Sequence, residues 1–440
     1  MHSRITRPVL ALTVLACAFT TAACGGDSDD NASGSSSGPV TLEIWTDKEG
    51  VKRAAAAFNA AHRDVRVKYV NVPGSELINK LTNAHKAGDA SKAPCLVLND
   101  NRNGSMLLAQ GIIRDLTQDV KPVEDKYADG AFVNLSIGGK IYAIPAMRQP
   151  MFTVIHQPTF DKYDLKTPTS WQALVTVGEK LKKHGVSVFN LAGEDPSTFM
   201  NMAWQGGARW YEVKGNAWKV NFTDGASRNA ADIMQQLLDK KLVSKISYAD
   251  YAAMMQEYEK GKIALRQVST WQLASFEQNM SKSLGQWAPA GNLTVPGQST
   301  PTSAADTSGY LVPSLCKHSK EAVEAATWLT TSADPIKAMA NTIDGNGWFP
   351  AVKDPKPYLD TLVPKKLMGK HADETVPTIM ENTDFADGWV YGPNSTAMYE
   401  ELADQWGKAM NGDITVTSIL DHMQEWTVND LKQRGISVTK

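Results

Sequence analysis

Val40-Thr41-Leu42-Glu43-Ile44-Trp45, Lys52 to His62, Val65-Arg66-Val67-Lys68-Tyr69-Val70, a run opening at Ser75-Glu76-Leu77-Ile78-Asn79-Lys80-Leu81, and Ala93-Pro94-Cys95-Leu96-Val97-Leu98 are the consecutive segments that decide the fold. The first and third alternate apolar with polar residues and are rich in β-branched side chains, which predicts strands. Lys52 to His62 sets alanines around Phe58 at helical spacing, and the run from Ser75 starts a second helix. The last segment is continuously apolar, as a strand covered on both faces of a parallel sheet would be. Strand, helix, strand, helix, strand is the order of an α/β lobe with right-handed crossovers. Ligands in such sheets gather at the carboxyl ends of the strands, which here carry Trp45-Thr46-Asp47 and Asn99-Asp100-Asn101-Arg102.

Upstream of this lobe the chain has another character. The apolar run Val9 to Ala18 follows the cationic Arg4 and Arg7, is too short to span a bilayer, and reads as the core of a secretory signal. Thr21-Ala22-Ala23-Cys24 resembles a bacterial lipobox, with Thr21 where leucine is usual, so residues 1–23 read as a signal peptide and Cys24 as the lipidation site. Residues 24–39, a run of Gly, Ser, Asp and Asn ending at Pro39, have nothing to bury and read as a flexible tether. The folded part is therefore expected on the extracytoplasmic face of the cell membrane, held there by lipid.

Downstream, about 400 residues exceed what one hydrophobic core usually serves, so two lobes are expected. A second series holds the strand Phe152 to His156, a helix N-capped by Ser170, the apolar segment Val186 to Phe189, helices at Ala226 to Leu238 and Tyr248 to Tyr258, and a short strand Lys262-Ile263-Ala264-Leu265. A strand at Gly309 to Pro313 follows, then helices at Ser319 to Leu329, Ile336 to Ala340, Ser395 to Met410 and Val416 to Leu431.

Composition excludes several classes. A formal net charge of −2 and a pI near 6.5 give no basic field for nucleic acid. His62, His85, His184, His318, His371 and His422 are scattered without ligand-like spacing, so neither a metal nor another cofactor is expected. Asp27-Ser28-Asp29-Asp30 lacks the rest of a calcium loop, and no Walker loop, G-x-S-x-G or H-E-x-x-H occurs. With Cys17 inside the signal and Cys24 at the lipid site, Cys95 and Cys316 remain as an even pair in an oxidising compartment, and a disulfide is expected over two buried thiols.

Leu42-Glu43-Ile44-Trp45, Gly138-Gly139-Lys140-Ile141-Tyr142-Ala143-Ile144-Pro145, Thr167-Pro168-Thr169-Ser170-Trp171, Gln205-Gly206-Gly207, Tyr258 to Leu265 with Trp271 after it, and Ser319 to Leu329 occur in an order and spacing that resemble the extracellular solute-binding proteins of ABC importers, in particular the carbohydrate-binding subgroup that includes maltose-binding protein. The resemblance implies an α/β fold of two lobes, each with a central sheet, joined by a hinge of several crossings. Lobe one would be residues 40–147 plus 310–360 and lobe two residues 148–309 plus 361–440. It also implies a ligand cleft between the lobes, permease subunits as partners and a monomer in action. Trp271 falls at the family's stacking aromatic, Trp45 and Asp47 at the first-strand loop, Asp100, Asn101 and Arg102 at the third-strand loop, and Gln149 where maltose-binding protein has a ligand-binding glutamate, with its neighbour Arg148 a further candidate.

The chemistry of a neutral di- or trisaccharide agrees with that assignment. A pyranose has hydroxyls around its edge and C–H groups on its faces, so its site needs flat aromatics and planar polar side chains. Trp45, Trp204, Trp271, Trp348, Trp389 and Tyr391 are candidates for the first role, while more than half of the twelve tryptophans are expected to be structural. Trp171 and Trp328 fit helix patterns and belong to the core. Two other classes remain open: a binding lipoprotein for a polyamine or peptide, and an exported glycoside hydrolase built on carboxylates such as Asp47, Asp100 and Glu194.

Overall fold

Eight strands carry the two main sheets: β1 (Val40–Thr46), β2 (Val65–Asn71), β3 (Leu96–Asp100), β4 (Ile144–Pro145), β5 (Phe152–His156), β6 (Leu265–Val268), β7 (Trp287–Ala290) and β8 (Ser308–Leu311). The computed structural model describes residues 38–304, 307–386 and 388–439. The signal segment, Cys24 and nearly all of the tether lie outside the described residues.

The first sheet has the order β2-β1-β3-β8-β4, with β1 parallel to β2 and β3 and with β8 antiparallel to β3 and β4. Strand alternation sends side chains to two separate cores. Leu96, Leu98 and Tyr310 enter one with Leu42, Ile44, Phe58 and Leu329, while Val97 and Leu311 enter the other with Leu77, Leu81 and Leu107. Helices Gly50–Ala61 and Gly74–Ala87 cover the sheet as their spacing predicted. The third strand starts at Leu96 rather than at Ala93. Cys95, just before it, is bonded to Cys316 just after β8, with 4.8 Å between their Cα atoms.

The second lobe is built on a smaller antiparallel sheet, β6-β5-β7. Alternation again separates two cores, Ile155, Leu265 and Ala288 facing one and Phe152, Val154, Val268 and Trp287 the other. The helix Trp171–Lys182 is capped as read, Ser170 Oγ accepting the Ala173 N–H at 3.1 Å. The short strand expected at Lys262 to Leu265 lies three residues later, because Gly261, at φ +65°, closes the preceding helix and Ile263 pairs with Ser187 only through an isolated parallel bridge. That shift carries Arg266 and Gln267 into the sheet.

The chain crosses between the lobes at several places. Ala146 N–H donates to Ser308 O at 2.9 Å, Arg148 N–H to Phe349 O at 3.0 Å, and Met151 N–H to Ser303 Oγ at 2.7 Å, so the crossings run side by side. Ala340, Phe349, Leu359 and Leu362 pack into the core that holds Phe152 and Trp287, so the stretch from about 340 to 362 bridges the two lobes. The long helices Ser395–Asn411 and Val416–Gln433 close the outer face of the second lobe, with Met398, Leu402, Trp406, Ile419 and Leu420 in its core.

Candidate functional site

Two adjoining cavities of about 440 and 520 Å³ lie between the lobes, and both reach Arg102 and Tyr399. Each is of the size that ligand pockets have, roughly 300–1,000 Å³.

The first-lobe wall is made by strand ends whose charges are already paired. Asp47, after β1, forms an ion pair with Lys48 at 2.7 Å and accepts the Gly74 N–H at 3.1 Å. Asp100, ending β3, accepts the Arg102 N–H and holds its guanidinium, each at 3.1 Å. Trp348 lines the same cavity with a mostly buried ring. Asn101 opens the turn Asn101–Asn103.

The second-lobe wall is aromatic and amide-rich. Trp271 is 48% exposed, in the first turn of the helix Thr270–Asn279. Gln272 fixes that turn, its Oε1 accepting the Ser269 N–H at 2.9 Å and its own N–H donating to Ser269 O at 3.0 Å. From the other side Gly347, at φ +61°, packs on it so closely that an added Cβ would lie 3.1 Å from the Trp271 Cα. Around Trp271 stand Gln149, Asn201, Gln267, Gln272, Tyr248 and Tyr251. Gln267 donates to Asn292 Oδ1 at 2.7 Å, and Tyr251 shares a 2.6 Å hydrogen bond with Ser275. Asp195 accepts from the Ser197 N–H and the Tyr399 hydroxyl, both at 2.8 Å.

The walls meet where the helix Ser395–Asn411 begins. Ser395 Oγ donates to Arg102 O at 2.6 Å, Thr396 Oγ1 to Asn103 Oδ1 at 3.0 Å, and Ser105 Oγ to Tyr391 O at 2.7 Å. The Arg102 guanidinium stands 5.4 Å from the centre of the Tyr399 ring.

Of the expected residues, Asp47, Asp100, Arg102, Gln149, Trp271 and Trp348 line these cavities. Trp204, Trp389 and Tyr391 do not: they are buried in the second-lobe core, where Trp204, 0% exposed, stacks on Trp389 with 5.0 Å between ring centres. Trp45 packs half-buried on a first-lobe core with its indole N–H on Glu43, away from both cavities. Arg148 faces a different cavity of about 330 Å³ between Asp129 and Asp384, its guanidinium 3.9 Å from the Phe385 ring centre. Burial pushes its pKa down to about 10 against the pull of those two carboxylates.

Asp195, Tyr248, Tyr251, Arg266, Gln267 and Tyr399 also line the cleft and escaped sequence reading. A signal existed for one pair: Arg266-Gln267 interrupts the apolar run from Ile263 to Val268, and polar residues within a buried strand need a reason. Asp195, Tyr248 and Tyr399 come from distant segments that only the fold assembles.

The bacterial extracellular solute-binding protein family matches residues 45–334. An uncharacterized ABC transporter extracellular-binding protein of Pyrococcus horikoshii is 24% identical over 321 residues, 68% of this chain and 70% of that one. Among solved structures, the galacto-N-biose-/lacto-N-biose I-binding protein of a Bifidobacterium longum ABC transporter, in complex with lacto-N-biose, has a TM-score of 0.77 at 22% identity, covering 92% of this chain and 100% of that one. A Bifidobacterium animalis subsp. lactis binding protein in complex with β-1,6-galactobiose gives 0.72 at 18% identity over 91% and 100%. The sugar-binding protein MalE of Xanthomonas citri gives 0.72 at 15% identity over 90% and 98%. With two lobes, a hinge of parallel crossings, a cleft between them and a family match over most of its length, the chain belongs to the bacterial extracellular solute-binding proteins.

Proposed function

We propose that this protein captures a neutral oligosaccharide, a di- or trisaccharide, in the interlobe cleft and delivers it to the permease of an ABC importer without transforming it. The observation that carries this reading is one cavity joining an exposed indole, Trp271, with the amides of Gln149, Asn201, Gln267 and Gln272. A flat apolar face beside planar hydrogen-bonding groups is what a pyranose requires. Oligosaccharides bound by the two bifidobacterial proteins support the same ligand class.

Capture proceeds by closure. Sugar docks on the Trp271 side, and the lobes, 40–147 plus 310–360 and 148–309 plus 361–440, rotate about the crossings until the cleft closes around it, with Arg102, Ser395 and Tyr399 at the point where the walls already touch. The permease then recognises the closed monomer. The carboxylates considered for hydrolysis are occupied: Asp47 and Asp100 by their cations, and Glu194 by Ser247 Oγ and the Tyr248 N–H. Lipid on Cys24 would hold the protein at the extracytoplasmic membrane face; Cys24→Ala should release it, and unchanged attachment would refute the anchor.

Calorimetry against di- and trisaccharides, with spermidine, short peptides and aryl glycosides alongside, tests the main reading. Saturable heat with one saccharide class and no glycoside cleavage is expected. Binding of spermidine or peptide in place of any saccharide would overturn it.

A further inference from the structure

Arg266 projects from β6 into the second-lobe cavity, is 9% exposed, and has its Nη1 buried without a hydrogen-bond partner. It forms no ion pair among the described residues. The other arginine of this cavity, Arg102, is held by Asp100, and the cavity's carboxylate, Asp195, is held by Ser197 and Tyr399. Three aromatic rings stand around the Arg266 guanidinium, Phe276 at 4.5 Å, Tyr258 at 5.7 Å and Tyr248 at 5.9 Å from their centres. Their π faces offset part of the cost of burying a cation, but they accept none of its fork of N–H groups. A buried charge left in that condition is costly, and the cost falls when acceptors arrive.

We propose that Arg266 is the specificity anchor of the cleft, receiving two neighbouring oxygens of the sugar unit that enters the second-lobe cavity. This rests on the oligosaccharide reading above. A planar fork matches paired acceptors, so adjacent ring hydroxyls of a neutral sugar and the carboxylate of a uronate share the chemistry it reads. The aromatic collar holds the fork in orientation before ligand arrives, and binding then supplies the partner that the fold withholds.

The test uses the whole mature protein and two variants. Arg266→Met keeps an unbranched side chain against Phe276 and removes the charge; Arg266→Lys keeps the charge and loses the fork. Each is titrated by calorimetry with neutral disaccharides and with the same disaccharides oxidised to uronates, and each ligand-free thermal midpoint is recorded. Arg266→Met should bind on the order of thirtyfold more weakly in whichever arm the wild type prefers, with Arg266→Lys recovering only part, since hydrogen bonds to charged groups carry effects of that size. The preferred arm tells hydroxyl pair from carboxylate. The ligand-free midpoint of Arg266→Met should stay level or rise, because an uncompensated buried cation has gone. Affinity within threefold of wild type, or a midpoint lowered by several degrees in both variants, would overturn the proposal and make Arg266 a packing residue. Should the wild type bind no saccharide in either arm, the oligosaccharide reading fails; a raised Arg266→Met midpoint would still support a cation waiting for an acceptor, and a lowered one would refute it.

Discussion

The second lobe holds two aromatic clusters that differ in exposure and in how far their polar edges are satisfied. In the outer cluster Trp204, Trp210, Trp389, Phe199 and Trp406 are sealed, and three indole N–H groups find acceptors: Trp204 on Ala386 O at 3.1 Å, Trp210 on Ser227 Oγ at 2.8 Å, and Trp406 on Ala192 O at 2.9 Å. In the cleft cluster Trp271 shows its face to solvent, and Tyr248, Tyr258 and Phe276 stand around a guanidinium whose Nη1 is buried without a partner. The first pairs most of its indole N–H groups within the fold, Trp389 Nε1 being the exception, while the second leaves an open ring face and a buried cation beside a cavity. Aromatic content alone does not separate a core from a binding face; exposure of the ring, taken with the state of the neighbouring polar atoms, does.

Four measurements would break or sharpen that contrast. Trp204→Ala, in the sealed cluster, should destabilise the protein by about 3–5 kcal/mol, read as a lowered midpoint in chemical denaturation, while the molecules that remain folded keep their affinity. Loss of binding with stability intact would move Trp204 into the site. Trp271→Ala should do the reverse, costing about 2 kcal/mol of binding, near thirtyfold by calorimetry, with an unchanged melting temperature. Wild-type affinity in that variant would remove the open cluster's main platform. Asp100→Asn, on the opposite wall, breaks an ion pair with Arg102 that is one-third exposed, so at most about 1 kcal/mol in either stability or affinity is expected, and a larger loss would mean that Asp100 contacts ligand directly.

The smallest effect concerns Glu194, which caps the segment leading to Tyr248. Burial pushes its carboxyl pKa up, but hydrogen bonds from Ser247 and nearby backbone N–H groups outweigh that and lower it. A lowered folded pKa stabilises above the unfolded value and is lost as pH falls through the folded one. Glu194→Gln should therefore cost a few tenths of a kcal/mol at pH 7, reduced by its exposure, and less at pH 3, as the pH falls toward and through the folded pKa. An equal cost at both pH values would assign the effect to shape instead of charge.

What could be read from sequence divides along the same line. Period and β-branching located β1, β2, β5 and the long C-terminal helices because those elements bury one face or both along their whole length. The strand holding Arg266 was placed three residues early, because its polar pair contradicts the pattern used to find strands. Chemical type alone points Trp204, Trp389 and Tyr391 to the cleft, and the fold buries them in a core, since a residue that packs and a residue that binds have the same letter. Asp195 and Tyr399 touch within the second lobe from segments some two hundred residues apart, a proximity that no local pattern records.

The Cys95–Cys316 bond spans 221 residues and joins the edges of the interruption through which the whole β5-β6-β7 sheet is inserted into the first lobe. It thereby alters the order in which the oxidised chain can assemble. Pairing of β3 with β8 is the most distant contact in the first sheet, and without a cross-link its loop must close before any strand pairing rewards it. Once the thiols have joined, those strands start as neighbours, so the first lobe can nucleate while the inserted chain is still a free ring. Oxidation in the compartment where the protein works thus converts a discontinuous lobe into one whose folding is nearly local.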